Sequence, residues 1–365
     1  MQSWKGKGYQ EGTKMSKREK DGHPYGLKEK PQHLILVLDD WSRGYCIRKI
    51  DLSFGDPGPQ QKLHAGVEHD NPRLHSLPSS SFKFEAPRGY PRYFAGAFGS
   101  NVLAMQPTVS KFKNDSMNGI LIYDVCKRSI IIGPPQRPDP VDPIYIPVGG
   151  RLFALAARSF QLLDPPPYDD TGSKNLRWRW HTLPEPPFLH LLVTSYAVHR
   201  SGQTIFVSIG GQAPATFSFD TVESEMDGRW KHLGQWKMPF SGRGHFAPEL
   251  NSWVGLWGAL GSHRICAIDV VSDNPVLKLC EEGPNLSEDE LIGATLVSMG
   301  GGSKFCLLEY KYNNEEKVVM QLTTFSLKYN KNGNLTMGKS RQIQRYRVAE
   351  EVTESMLRTP VAFCM

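Results

Sequence analysis

The chain has no apolar run near the roughly 18 residues that cross a bilayer, so membrane insertion is not expected. Its six cysteines, Cys46, Cys126, Cys266, Cys280, Cys306 and Cys364, contain no C-x-x-C pair. A structural zinc site draws on such close pairs, so no metal residue is assigned. Cys46, Cys266 and Cys306 sit inside apolar strand-like runs, which reads as buried, reduced thiols in a reducing compartment. The first 31 residues lack the apolar core of a secretory signal. They also carry Glu11, Glu19, Asp21 and Glu29, where transit peptides are poor in acids. The expected location is cytoplasmic or nuclear. Catalytic signatures are missing too: there is no G-x-x-x-x-G-K-[ST] phosphate loop and no G-x-S-x-G elbow. The nearest glycine-rich piece, MGGGSK at 299–304, lies between two strand-like runs rather than before a helix, so it does not cradle phosphate. The eleven histidines show no ligand spacing. No catalytic residue and no cofactor is therefore expected.

What is present suits a soluble all-β chain. Hydrophobic residues make up 39% and charged ones 22%, which is enough to bury a sizeable core. Gly (34) and Pro (27) are both plentiful, as many short strands joined by tight turns require. The net charge of +6 is uneven: residues 1–31 hold eight Lys/Arg and four Asp/Glu, so 8 − 4 = +4 lies there. Residues 1–31 read as a disordered basic tail, followed by one domain over 32–365. Weak attraction to nucleic acid or another polyanion is the alternative use of the tail. No nucleic-acid-binding motif accompanies it.

From Pro31 onward a loose repeat appears. Short apolar strands end in Asp: YCIRKIDL at Asp51, GILIYDV at Asp124, SFQLLDP at Asp164, ATFSFDT at Asp220 and RICAIDV at Asp269. The spacings of 73, 40, 56 and 49 residues are those of propeller blades or a solenoid. A strand of small and apolar residues precedes each Asp strand. In two cases a Trp and a Pro-rich exit follow, WRWHTLPEPPF and RWKHLGQWKMPF. Four short antiparallel strands per unit is the grammar of a blade. In LRWRWHTL, Trp178 and Trp180 fall on one face of a half-buried strand and are expected to pack on a neighbouring sheet. Six units begin near His33, Arg92, Pro143, Thr194, Gly244 and Ile292, with five or seven blades as alternatives. The terminal TPVAFCM is placed to add a strand to the first unit and close a ring. The sixth unit breaks the pattern, since LTTFSLKYN has no Asp.

Gly149-Gly150, Asp164, Trp180 and LPEPPF resemble one kelch repeat; Tyr196 through Asp220, Trp230 and MPFSGR resemble another. SGRGHFAPELNSWVGL, RICAIDVV and IGATLVSMGGGSKFCLLE are similar to a plant family, expanded in grasses, known as the domain of unknown function 1668 family. The resemblance spans residues 32 to 348 and implies a kelch-like β-propeller; with the units counted above, the expected fold is all-β with six four-stranded blades. It supplies no catalytic residues.

Within SGRGHFAPELNSWVGLW, Arg243, His245 and Glu249 are the candidate contacts, read as a polar network at a blade junction or at the propeller mouth. Pro248 holds Ala247 extended, so His245 and Glu249 do not share a helical face as a metal-binding H-x-x-x-E pair would. Some plant kelch proteins hold iron with E-x-x-x-D-x-x-x-H. Glu223, Asp227 and His232 approach that pattern with the second gap one residue too long, and with Gly228 the stretch reads as a hairpin loop. The expected function is a non-enzymatic protein–protein interaction module: a bare, monomeric propeller without an F-box, acting as adaptor or competitor. Its long loops at 55–80, 133–143 and 164–175 are candidate specificity elements. A kelch-type metal-dependent enzyme and polyanion binding through the tail are the alternatives.

Overall fold

The computed structural model describes residues 33–52, 74–87, 89–105, 119–137, 140–165, 177–222, 229–258, 263–269, 276–281 and 291–365. Nearly all their regular structure is antiparallel strand. In the first unit β1 (His33–Trp41) and β2 (Gly44–Asp51) form a hairpin. A short β3 (Leu74–Ser76) follows, then β4 (Ser80–Glu85), which pairs with β2. The second unit is β5 (Tyr93–Ala97), β6 (Asn101–Met105), β7 (Ile120–Asp124) and β8 (Ser129–Gly133), in that spatial order. The third is β9 (Ile144–Val148), β10 (Arg151–Ala156), β11 (Ser159–Asp164) and β12 (Arg179–Leu183). The fourth is β13 (Val193–Val198), β14 (Thr204–Ile209), β15 (Ala215–Asp220) and β16 (Trp230–Gly234). The fifth is β17 (Ser241–Ala247), β18 (Ser252–Trp257), β19 (Arg264–Ile268) and β20 (Leu277–Leu279). Parallel pairing of β13 with β17 merges these last two units into one eight-stranded sheet.

The sixth unit is longer. It contains β21 (Leu291–Ser298), β22 (Lys304–Tyr312) and the 12-residue β23 (Val318–Tyr329). β24 (Leu335–Met337) folds back on one half of β23, and β25 (Gln342–Arg347) pairs with the other half. β3 lies parallel to β25, so part of the segment read from sequence as a 55–80 loop is a strand; Ser80 likewise begins β4. A short α1 (Glu354–Arg358) then leads to β26 (Val361–Cys364), which pairs antiparallel with β1 in the order β26-β1-β2-β4. The residues expected to begin units shift by a few positions. β13 starts at Val193 rather than Thr194, and β17 at Ser241 rather than Gly244, because a bulge in β17 carries Gly244 past the strand's start.

The repeat has a hydrogen-bonding cause. Asp51, Asp124, Asp164 and Asp220 each end the third strand of their unit, and Asp269 directly follows β19, the third strand of the fifth. At Asp124 the carboxylate accepts from the Ser100 hydroxyl (2.8 Å) and from the backbone N–H groups of Cys126 (3.0 Å) and Lys127 (2.9 Å). Burial pushes this carboxyl up, but the Lys127, Ser100 and Cys126 donors outweigh it and hold the acid below its ordinary range. Asp220 accepts from Val222 N–H at 2.9 Å in the same manner. At these two positions the side chain closes the turn leaving the strand, whereas Asp164 pairs with Arg151 and His181. In the sixth unit Asn330 takes this role after β23, accepting from Asn332 and Asn334 N–H at 2.9 Å each.

The core lies between units rather than within one. Leu152 and Leu163 of the third unit cluster with Ala95, Leu103 and Ile122 of the second. Similar clusters join third to fourth, fourth to fifth and fifth to sixth, and one joins the sixth to the first, with Val102 and Tyr123 of the second. Tryptophans tie neighbours together through carbonyls at unit ends. Trp180 Nε1 donates to Pro134 O (3.2 Å) and Trp230 Nε1 to Pro184 O (3.3 Å). Trp178 meets Phe98 of the second unit edge-on at 4.7 Å, so the Arg-Trp-Arg-Trp face packs on a neighbouring sheet.

Candidate functional site

One strand of each unit, β5, β9, β13, β17, β21 and β26, lines one cavity of about 1010 Å³. Small residues let the backbones converge there, as Gly96 shows: a Cβ on it would sit 2.6 Å from the Phe363 ring.

The SGRGH stretch is built to place one side chain on this wall. Between β17 and β18, Ser241 pairs with Leu256 and the next pair is His245 with Val254. Four steps (245 − 241) on one strand thus oppose two (256 − 254) on the other, a bulge with two extra residues. Gly242 supplies the left-handed φ of +70° that the bulge needs, and Gly244 leaves room for the Phe240 ring packed beneath it. Released from β18, the segment pairs parallel with β13, Tyr196 opposite Arg243 and Ala197 opposite Gly244. Tyr196, Arg243 and His245 all face the cavity.

His245 also bridges units. Its Nε2 lies 2.9 Å from Leu296 O on β21. A carbonyl only accepts, so Nε2 carries the proton. Burial, with the Arg243 charge second, drives the ring's pKa from 6.5 to about 3 against the pull of the Leu296 carbonyl. The ring is neutral at physiological pH, leaving Nδ1 as an acceptor. Glu249 reaches the sixth unit separately. Its Oε2 accepts from Ser303 N–H at 3.4 Å, and Oε1 rests where a Cβ on Gly302 would lie 2.9 Å away. The glycine-rich 299–304 turn is thus a seat for Glu249. Among the described residues no hydrogen bond joins Arg243, His245 and Glu249 to one another. Two of them bridge to the sixth unit at different points, and Arg243 faces the cavity.

A pH experiment follows from His245. Unfolded, the ring takes a proton below about pH 6.5, while folded it resists until about pH 3. The site's contribution to stability is full above the unfolded pKa and is lost as pH falls through that window, with a slope of ~1 kcal/mol per pH unit. Urea unfolding between about pH 7 and 4 is expected to show this slope in the wild type and its loss in His245→Asn. Equal slopes in the two proteins refute it.

Of the iron-pattern residues, Glu223 and Asp227 lie outside the described residues. His232 is on β16 with its ring 5.2 Å from that of Phe217. The described residues contain no cluster of three or more His, Cys, Asp or Glu side chains placed to hold a metal. Among the cysteines, Cys46, Cys266, Cys280 and Cys306 are buried, Cys126 is exposed and Cys364 is half-buried. Burial, aided by a bond to Asp40, lifts the Cys46 thiol to about 11, and burial lifts Cys266 to about 12, so both stay protonated. Most of the 55–80 and 164–175 loops lies outside the described residues.

A second feature, not singled out in the sequence, is β8, SIIIG. It is the outer strand of the second unit, and no described strand pairs with its far edge. Ile130, Ile131 and Ile132 are 48%, 46% and 58% exposed. The other outer strands carry charge: Lys83 and Glu85 on β4, Arg179 on β12, Lys231 on β16 and Lys278 on β20. β25 carries Arg345 and Arg347 and is covered by β3. Charge on an edge strand discourages pairing with another chain, and β8 alone lacks it. Three successive isoleucines within the strand were the feature visible in the sequence.

Several four-stranded antiparallel sheets, with two larger ones, around a shared cavity define an all-β chain of propeller-like fold. Residues 31–346 match the family model described as "Protein of unknown function (DUF1668)", and the chain belongs to that family. Among curated proteins no sequence matches it. Among solved structures it is similar to a Bacteroides uniformis protein provisionally described as a 6-phosphogluconolactonase. The two are 12% identical with a TM-score of 0.44, over 93% of this chain and 100% of the other. A likeness at that score carries neither mechanism nor substrate across. No described helix is long and apolar enough to cross a membrane.

Proposed function

We propose that residues 32–365 form a six-bladed, kelch-like propeller, preceded by a basic tail, that acts without catalysis as a protein-interaction module and docks its partner on β8. Three features support the ring: six units, a common cavity lined by one strand of each, and β26 seated on β1. The observation that carries the docking reading is the uncharged, exposed edge of Ile130, Ile131 and Ile132. Such an edge takes an extended segment by strand addition: main-chain bonds supply affinity, and alternate apolar side chains supply specificity.

The test compares affinity capture by the whole chain, by residues 32–365 and by an Ile130→Lys/Ile132→Lys variant. Both substituted side chains are half exposed, so the variant is expected to melt like the wild type. The expected result is a defined partner set retained by 32–365 and weakened at least about tenfold in the lysine variant. Partners unaffected by the two lysines would overturn docking on β8. Partners lost with the tail alone would transfer the activity to residues 1–31. Size-exclusion chromatography is expected to give a monomer; a dimer abolished by the lysines would instead make a second copy the occupant of this edge.

A further inference from the structure

We propose that the cavity wall formed by β13 and β17 binds a small hydroxyl-bearing anion, a hydroxycarboxylate or a phosphate monoester, with Arg243 as its charge partner. The proposal is independent of β8 and concerns a different face of the protein.

The first support is the local build. A two-residue bulge breaks the β17–β18 ladder, Gly242 supplies a positive φ, and Gly244 accommodates Phe240. A regular strand would need none of these. Their combined effect is to lay Arg243 beside Tyr196 on the cavity wall. Bulges commonly re-aim a side chain toward a site in this way.

The second support is charge. Arg43, Arg48, Arg151 and Arg358 have carboxylate partners, Glu85, Asp40, Asp164 and Glu354, whereas several other arginines do not, so it is position on the cavity wall that singles out Arg243. Arg243 forms no ion pair or hydrogen bond among the described residues, although it lies on a cavity of ligand size. The acidic side chain on the wall, Asp39, is buried and accepts from Thr353 N–H at 3.0 Å. A guanidinium presents a planar fork of donors that fits carboxylate and phosphate oxygens alike.

The third support is the pair of neutral groups flanking that charge. The Tyr196 hydroxyl stays protonated because burial raises it more than Arg243 lowers it, and it can donate to an anionic oxygen. His245 spends its only N–H on Leu296 O and offers Nδ1 as a bare acceptor. A guanidinium in register with a hydroxyl donor on the next strand, and a ring acceptor two residues along, suit an anion that also carries a hydroxyl. A simple anion leaves Nδ1 unused. A neutral polyol leaves the guanidinium unanswered.

The test is calorimetric titration of the full chain with glycolate, glycerol 3-phosphate, acetate and inorganic phosphate. Glycolate or glycerol 3-phosphate is expected to bind at least about tenfold more tightly than its partner without the extra hydroxyl, acetate or phosphate respectively. Which of the two binds names the head group. Arg243→Gln is expected to abolish binding, and His245→Phe to remove the preference for the hydroxyl while weak anion binding persists. The ring Nδ1 resonance of His245 is expected to shift on titration of the wild type. Arg243 is exposed, so Arg243→Gln is expected to melt normally. Unchanged binding in Arg243→Gln, or no binding of any probe up to about 10 mM, overturns the proposal. The β8 lysine variant is expected to bind the anion normally, which keeps this result separate from that of the docking edge.

Discussion

Removal of residues 361–365 is expected to leave the protein without a cooperative thermal transition, and largely insoluble. Val361, Ala362, Phe363 and Cys364 pair in register with Val37, Leu36, Ile35 and Leu34. Those four partners are 0% exposed and belong to the cluster joining the first unit to the sixth. Each apolar side chain stripped of cover forfeits about 1.5–3 kcal/mol, against a total of about 5–15 kcal/mol for a folded domain. The deletion also bares an uncharged apolar strand edge, the kind that recruits other chains. Circular dichroism melts and a solubility assay measure the loss. A synthetic peptide of residues 359–365 is expected to restore part of the transition by occupying the vacated edge. A truncated protein that melts like the full chain would show that β26 contributes little.

Gly293→Ala is expected to be strongly destabilising. Gly293 lies on β21 where the register with β22 shifts. An added Cβ would run into the carbonyl oxygen of Leu357 and lie 2.6 Å from that of Arg358. Both obstacles are main-chain atoms at the end of α1, so no rotamer change relieves them. Only displacement of α1 would, and Met356 and Leu357 are buried against the core. Overpacking of this kind costs about 3 kcal/mol. Gly301 is the control: a Cβ there meets nothing within 4 Å, and Gly301→Ala is expected to be neutral. Urea midpoints of the two variants beside the wild type decide the matter, and equal midpoints for both would refute the assigned contact.

Much of the architecture was legible because strand, turn and acid recur together. An apolar strand ending in Asp announces its turn, since the carboxylate bonds the N–H groups that follow. The sixth unit looked irregular because Asn330 does the same work without a charge. β3 was hidden for another reason. Leu74–Ser76 is too short to show a period of two, and its parallel partner β25 lies about 270 residues away. The candidate site was half visible. Arg243, His245 and Glu249 stand out by residue type, but sequence spacing does not reveal that a bulge turns Arg243 toward β13. The docking edge escaped notice because isolation of a strand edge is a property of the assembled sheet. SIIIG by itself reads equally well as core.

The pairing of β26 with β1 has a consequence for how the protein is made. Leu34 emerges early in synthesis, and its partner Cys364 follows 364 − 34 = 330 residues later. At typical elongation rates of about 5–20 residues per second, that wait is roughly 15–65 s. Throughout it, the strand from Leu34 to Leu38, which ends up almost wholly inaccessible to water, lacks its final neighbour. β1 is the segment a nascent-chain chaperone would hold during that interval, and the slowest folding step is expected to be this long-range contact rather than any hairpin.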